Sequence, residues 1–479
     1  MNSRLSSYLS RLLVDRRGGY RRDVLRRFDA LRDFDCLSRH DIDMHVSREL
    51  AQVLNFAREH VSFYMDRIPP DISEENALAM LPQLPMLTKQ DVQQSLHELC
   101  VKDIERFEDA TGGSSGVPTI FYTDLERKKA GEASTYWSNG LAGFDYGDRV
   151  AMLWGSDRDC RPETIDQRLE GRDRDCSSNR RGCEPLGDAR SGVPRVQFAQ
   201  IKAVARNMIE NVRWYNAFDM GENRMHDFHA GLLNFKPHVL VAYAGSLYEY
   251  AKFLNIHSLK PQYPLKSIVS SAEVLTPAMR KSVERVFERP IFDRYGNREF
   301  GPIAAECEAH AGLHINEHDM LVEIDSPDPY EIPGEIIVTY FRNRVMPFVR
   351  YNTGDIGVFA KGECACGRKT KKLKTIDGRT SDSIRTKDGK LIHGEYFTHL
   401  MYGVEGVKAF QFVQEAMDAY VLRVVCCPQI AQMYTDPWIE SVKGCVGGNG
   451  NVRVEIVDEI PLLPSGKRKF TLSLVDHGL

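Results

Sequence analysis

The sequence has 479 residues, 42% hydrophobic and 27% charged, and a formal net charge of −4. That length exceeds one ordinary core, so two or more domains are expected, and the near-balanced charge excludes nucleic-acid binding driven by bulk charge. No run of 18 apolar residues offers a membrane span.

The N-terminal stretch "MNSRLSSYLSRLLVDRRGGYRRDVLRRF" is rich in Arg but lacks the apolar segment of a secretory signal. Its Arg and Ser content is that of a transit peptide, yet Asp15 and Asp23 interrupt the pattern, and a basic helical extension is the reading taken. The eleven cysteines then read as reduced thiols or metal ligands rather than a disulfide framework, and a cytoplasmic chain is expected. Residues 1–100 read as a helical extension, with "RELAQVLNFAREHVSFYMDRI" placing apolar residues at helical spacing before the prolines at 69, 70, 82 and 85.

From residue 101 short β-like runs alternate with helical ones. "RVAMLWG" (149–155), "HVLVAYAG" (238–245), "LKSIVSSAE" and "PIFDRYG" read as strands; "MHDFHAGLLNF", "LYEYAKFLN" and "PAMRKSVERVF" read as helices. This alternation predicts an α/β domain with its ligand at the carboxyl ends of the strands. After residue 300, "DMLVEID", "GEIIVTYF" and "FVRYNTGDIGVF" suit an antiparallel sheet or barrel, and the last hundred residues form a small α+β unit with "VKAFQFVQ", "AYVLRVVCC" and "VRVEIVDEI". Residues 157–192 are dense in Arg and Asp and read as a mobile loop whose Cys160, Cys176 and Cys183 lack compact ligand spacing.

One stretch raises a chemical question. "DATGGSSGVPTIFYTD" (109–124) packs Thr111, Gly112, Gly113, Ser114, Ser115, Gly116 and Thr119 into nine positions. Exposed backbone N–H groups beside hydroxyls are the chemistry of an anion cradle, and a flexible Ser/Gly turn is the alternative. No Gly-Lys-Ser/Thr follows, so it is not a Walker loop.

Five further stretches follow in order: "SSAEVL" (270–275), "DRYGNREFG" (293–301), "VRYNTGDIG" (349–357), "DGRTSDSI" (377–384) and "LPSGKRKF" (463–470). From about residue 45 onward, the six together resemble the core motifs of the adenylate-forming acyl-CoA synthetase superfamily. The resemblance is nearest to the phenylacetate–CoA ligase group and its capsule-biosynthesis relatives. It implies an α/β fold: a large N-terminal domain over 101–376, with parallel and mixed sheets flanked by helices plus a β subdomain, and a small α+β lid over 377–479.

The resemblance also implies roles. A carboxylate attacking the α-phosphorus of ATP is an anion approaching a polyanion, so such a site must neutralise charge. Thr111–Gly116 would wrap the phosphates, with Thr119 where many relatives carry Lys. Tyr295 would stack on adenine, with Gly296 beside it at the nucleotide and Ala272 and Glu273 lining that pocket. Glu299 would hold Mg²⁺, and Arg298 replaces the usual Thr before it. Asp355 would accept the ribose hydroxyls, unless it is merely an Asx turn; Arg379 would add a ribose or phosphate contact. Lys467 matches the catalytic lysine, with Lys469 close by, and Ser381 and Asp382 stand at the hinge of the lid. Trp137, Tyr243, Ala244 and Gly245 would lie near the acid.

A second signal is metallic. Cys364 and Cys366 of "CACG", with Cys307 and either His310 or His314 of "CEAHAGLH", make a four-ligand set suited to structural zinc, against an alternative of reduced loop cysteines. The resemblance favours His314. The expected function is an AMP-forming ligase acting on a small carboxylic acid with ATP, coenzyme A being the leading acceptor. An amine or hydroxyl acceptor and a catalytically inactive scaffold are the rivals.

Overall fold

The computed structural model describes residues 19–111, 119–154, 211–217, 221–379, 384–387, 391–392, 397, 400–401, 404, 406–446, 450–461 and 470–475. The expected 157–192 loop, Gly112–Gly116, the hinge pair Ser381 and Asp382, Lys467 and Lys469 lie outside them. The described residues form two compact units. One is drawn from Ala142–Ser270 and Ser282–Ile291, together with the stretch before Asp23; the other takes Asp23–Leu141, Ser271–Lys281 and the chain from Phe292 onward.

In the first unit, strand Val150–Leu153 pairs in parallel with Val212–Tyr215 on one side and Val239–Tyr243 on the other. Every residue of Val239–Tyr243 and of Ser267–Ser271 is buried. In Val239–Tyr243 the run is also continuously apolar, the mark of a parallel strand covered on both faces. The helices Glu222–Phe235 and Ala244–Ile256 flank the central strand in the chain, and Phe228 of the first packs on Tyr250 of the second at 4.6 Å between ring centroids. Buried Asp148 ties the strand ends together, accepting from Lys266 at 2.7 Å and lying 2.9 Å from the His238 ring.

The second unit includes helix Arg39–His60, capped by the Ser38 hydroxyl accepting from the Asp41 N–H. Its buried residues Ile42, Val46, Leu50, Leu54 and Ala57 recur every three or four positions, so one stripe faces the core. That core includes Ile315, Ile336, Val338 and Tyr351 from an antiparallel ladder, with Phe348 from a connection between its strands. Met320–Asp325, Gly334–Tyr340, Tyr351–Phe359 and Lys372–Arg379 pair in succession, and Leu313–Ile315 and Gly301–Glu306 extend the ladder to Ile291–Asn297. The β-rich pattern after residue 300 is therefore an antiparallel sheet. The preceding segment is pinned onto it by the Leu87 and Asn352 backbone N–H groups, which donate to Arg350 and Leu87 carbonyls.

Toward the C-terminus, Val407–Ala416 and Ala419–Cys426 form an antiparallel pair, flanked in parallel by Thr471–Ser473 and Asn451–Ile456. Helix Pro428–Val446 contributes Trp438, Val442 and Val446 to a separate apolar cluster with Phe412 and Phe397. This is the expected α+β unit. Among the described residues no helix is long and apolar enough to cross a membrane.

Candidate nucleotide site and candidate metal centre

Two of the ordered motifs meet on the antiparallel sheet. The stretch 293–301 forms a tight hairpin between strands Ile291–Asn297 and Gly301–Glu306, with Asn297 opposite Gly301 and a register shift between Tyr295 and Gly296. A Cβ at Gly296 would collide with the Gly301 carbonyl oxygen, so the turn itself requires glycine there. From this hairpin the Tyr295 hydroxyl donates to Asp355 Oδ2 at 2.7 Å. The Tyr351 hydroxyl, from the other motif, donates to Glu299 Oε1 at 3.1 Å. Tyr295, Glu299 and Asp355 are 9%, 8% and 6% exposed, so the two carboxylates are held largely out of water beside phenols.

Asp355 follows Gly354, whose φ of 73° is the left-handed conformation that glycine adopts without cost. The Gly354 N–H donates to Asn352 Oδ1 and the Asp355 N–H to Thr353 Oγ1. The Asx turn is thus made by Asn352, and the Asp355 carboxylate accepts from the Tyr295 hydroxyl. Asp355 stands opposite Arg379 in the sheet register.

The Glu299 turn is held by a residue that sequence reasoning missed. Arg127, buried on helix Leu125–Leu141, donates from Nε to the Glu299 carbonyl at 2.8 Å and from Nη2 to the Arg298 carbonyl at 3.0 Å. Asp124 fixes the start of this helix: Oδ1 accepts from the Arg127 N–H and Oδ2 from the Arg344 N–H. The signal in "TDLERKK" was an Asp at a helix start; nothing distinguished Arg127 from its basic neighbours. Arg298 itself turns outward, donating to the Ala110 carbonyl at 3.3 Å beside Asp109.

The Gly/Ser stretch has a defined base. Strands Phe107–Ala110 and Ile120–Thr123 pair antiparallel. The Thr111 N–H donates to the Thr119 carbonyl at 2.9 Å, and the Thr119 N–H to Thr111 Oγ1 at 3.0 Å. Gln93 Nε2 then donates to the buried Thr119 hydroxyl at 2.9 Å. Thr119 is therefore an anchor of the loop. Ala272, with Glu273 at the end of strand Ser267–Ser271, has φ 66° without being glycine. Such backbone strain clusters at ligand sites. Beside it the Ser271 hydroxyl donates to the Arg294 carbonyl. In the first unit Tyr243 ends its strand, packed against Trp154 at 4.2 Å between ring centroids, and Ala244 and Gly245 begin the next helix. Trp137 is buried with its indole N–H donating to Asp35.

The metal signal converges. Ligand atoms of Cys307, His314, Cys364 and Cys366 all lie within 4.8 Å of one another. Cys307 Sγ is 3.6 Å from Cys364 Sγ, and Cys366 Sγ is 3.3 Å from His314 Nε2. Zinc bonds of about 2.3 Å to sulfur and 2.0–2.1 Å to nitrogen put tetrahedral ligands roughly 3.6–3.8 Å apart, so the donor set fits such an ion. His314 Nδ1 lies 2.8 Å from Thr370 Oγ1, which orients the ring with Nε2 toward the thiols. His310 instead turns to Glu306 at 3.2 Å. Burial, aided by Arg368 and Lys372, lowers the His314 pKa to about 4, keeping the imidazole neutral. Burial pushes the Cys307 thiol up to about 12. At Cys366 burial acts the same way but is outweighed by Arg368, and the pKa is lowered.

A buried acid adjoins both features. Asp293 is raised to about 7, first by burial and then by the charge of Glu306, which Arg280 holds by two contacts of 2.8 and 2.9 Å. The folded pKa exceeds the unfolded one near 3.8, so the native state binds more protons between those values. Stability therefore falls as pH rises through that window. Asp293→Asn is expected to flatten the dependence of unfolding free energy on pH between about 4 and 7, measured by denaturant titration. An unchanged slope would show that Asp293 ionises normally.

The fold resembles those of coenzyme A ligases of known structure. A 2-hydroxyisobutyryl-CoA ligase in its postadenylation state, in complex with R3-HIB-AMP, superposes with a TM-score of 0.63 at 16% identity, over 90% of this chain and 89% of that one. The same enzyme with 2-HIB-AMP and CoA in the thioesterification state gives 0.54 at 17%, over 91% of each chain. In sequence the chain is similar to Protein CapK and, over a shorter stretch, to phenylacetate–coenzyme A ligases. It is 22% identical to Protein CapK of Staphylococcus aureus over 447 residues, 89% of this chain and 88% of that protein. Over 160 residues it is 31% identical to the phenylacetate–coenzyme A ligase of Thermus thermophilus, 32% of this chain and 36% of that enzyme. Residues 384–473 match the CapK C-terminal domain.

Proposed function

We propose that the protein activates a small carboxylic acid with ATP, forming an acyl-adenylate and pyrophosphate, and then passes the acyl group to coenzyme A. The observation that carries this reading is the pairing of Tyr295 with Asp355 and of Tyr351 with Glu299, which joins two of the ordered motifs. The bond to Asp355 fixes the Tyr295 phenol, so the ring has one orientation in which to meet adenine. Asp355, short and rigidly placed after Gly354, is the acceptor for ribose hydroxyls, with Arg379 across the ladder as a further contact. Glu299 would hold Mg²⁺, which screens phosphate charge when bound. Thr111–Gly116 would approach the phosphates through backbone N–H groups, on a hairpin base already locked by Thr119. Ala272 and Glu273 would close the adenine side. Cys307, His314, Cys364 and Cys366 would hold a structural zinc.

A second acceptor has a specific observation in its favour. The match to CapK runs nearly the full length of both chains, whereas the match to the phenylacetate ligases covers about a third. An amine or hydroxyl acceptor is the reading that this favours, and it leaves the adenylation step unchanged. Pyrophosphate release on a panel of carboxylic acids, with and without coenzyme A, separates the cases. Acid-dependent release is expected, with a thioester formed when coenzyme A is present; release without thioester points to the other acceptor. No release with any acid would point to an inactive scaffold. Asp355→Ala is expected to raise the KM for ATP by about 10-fold or more through loss of charge-assisted hydrogen bonds. An unchanged KM would remove Asp355 from the nucleotide site.

A further inference from the structure

A second group of metal-ligating side chains stands apart from the cysteine cluster, in the first unit. Glu222 and His226 are one turn apart on helix Glu222–Phe235, so their side chains share a face. His257 caps the C-terminus of helix Ala244–Ile256. The ligand atoms of all three lie within 4.8 Å of one another, and His257 Nε2 is already 3.3 Å from Glu222 Oε1. Buried Phe253 supports both imidazoles, at 4.8 Å from the His226 ring and 4.6 Å from the His257 ring. The two imidazoles lie 5.1 Å apart at 66°, an edge arrangement that lets nitrogens from both face one point.

We propose that Glu222, His226 and His257 form a surface site for a divalent transition metal, which clamps the two helices around strand Val239–Tyr243. The donor set is two imidazoles and one carboxylate without sulfur, which suits zinc, nickel or copper rather than calcium or magnesium. Three protein ligands leave the remaining positions to water. Glu222 begins one helix and His257 ends the other, so the ion joins the elements that precede and follow the strand carrying Tyr243. A salt bridge between His257 and Glu222 alone would use no lone pair of His226. The proposal differs from it on that ligand.

The test is cobalt(II) titration of the full-length, untagged protein, followed by absorption spectroscopy. Cobalt at a cysteine-rich centre shows thiolate-to-metal charge transfer in the near ultraviolet; cobalt on Glu222, His226 and His257 shows none. A sulfur-free population is expected in the native protein, and His226→Gln and His257→Gln should each weaken it on the order of tenfold or more. Zinc should raise the Tm of the native protein above its value with the cysteine centre alone, and should not do so for either variant. His226→Gln leaves the His257–Glu222 contact in place, so it separates loss of a ligand from loss of folding. The absence of a sulfur-free population, or one unchanged in both variants, would overturn the site. Neither result depends on the adenylation reading.

Discussion

Exchange of Lys467 for alanine is expected to slow acyl-adenylate formation by about two orders of magnitude or more, the cost of losing one aimed donor of positive charge. In the proposed reaction, negative charge builds on the carboxylate and phosphate oxygens as the new bond forms. A lysine that meets that charge only in the transition state changes the rate far more than the KM. Transfer of the acyl group from pre-formed acyl-adenylate no longer develops this charge. The second half-reaction should therefore survive in the same variant, because the resemblance implies a lid that turns away between the steps. Lys469→Ala is the control and should leave adenylation nearly unchanged. Equal losses in both half-reactions would point to misfolding, and a larger loss at Lys469 would exchange the assignments.

Stripping the metal is expected to have the second large effect, on stability rather than chemistry. One zinc per chain should co-purify, with Cys307, Cys364 and Cys366 slow to react with a thiol reagent. Cys364→Ser, or removal by chelator, should lower unfolding free energy by several kcal/mol, because ligand binding to the native state alone is folding free energy. Thr370→Val is the finer probe. Removing the hydroxyl 2.8 Å from His314 Nδ1 should weaken zinc by about 10- to 100-fold while leaving all four ligands present. Protein without zinc and with three freely titratable thiols would refute the centre.

Much of this was legible in the sequence where one period dominated. The all-apolar "VLVAY" announced a buried strand, and "PAMRKSVERVF" became helix Pro277–Phe287 over its whole length. Helix Leu125–Leu141 was not legible. Its buried face is built from Ala130, Ala133, Ser134 and Ser138 with Trp137, and small residues make no apolar stripe. Helix Pro428–Val446 was hidden by Pro437 within it. In the candidate site, motif spacing put Tyr295, Glu299 and Asp355 in order along the chain. It gave no hint that Tyr351 bonds Glu299 or that Thr119 closes the loop, because such pairings depend on which strands become neighbours. The choice between His310 and His314 was likewise open from ligand chemistry alone. The strand that carries His314 places it toward Cys366 and leaves His310 beside Glu306.

The way Arg127 crosses its own helix has an evolutionary consequence. Its guanidinium lies over Gly131, and a Cβ at that position would run into it. Change at one of the two sites is felt at the other. A side chain at 131 must shift the guanidinium, which strains its bonds to the Arg298 and Glu299 carbonyls. Positions 127 and 131 should therefore drift as a pair through related lineages. Their joint identity would mark which lineages inherited this manner of steadying the acidic turn, a trait traceable in genomes without any further structure.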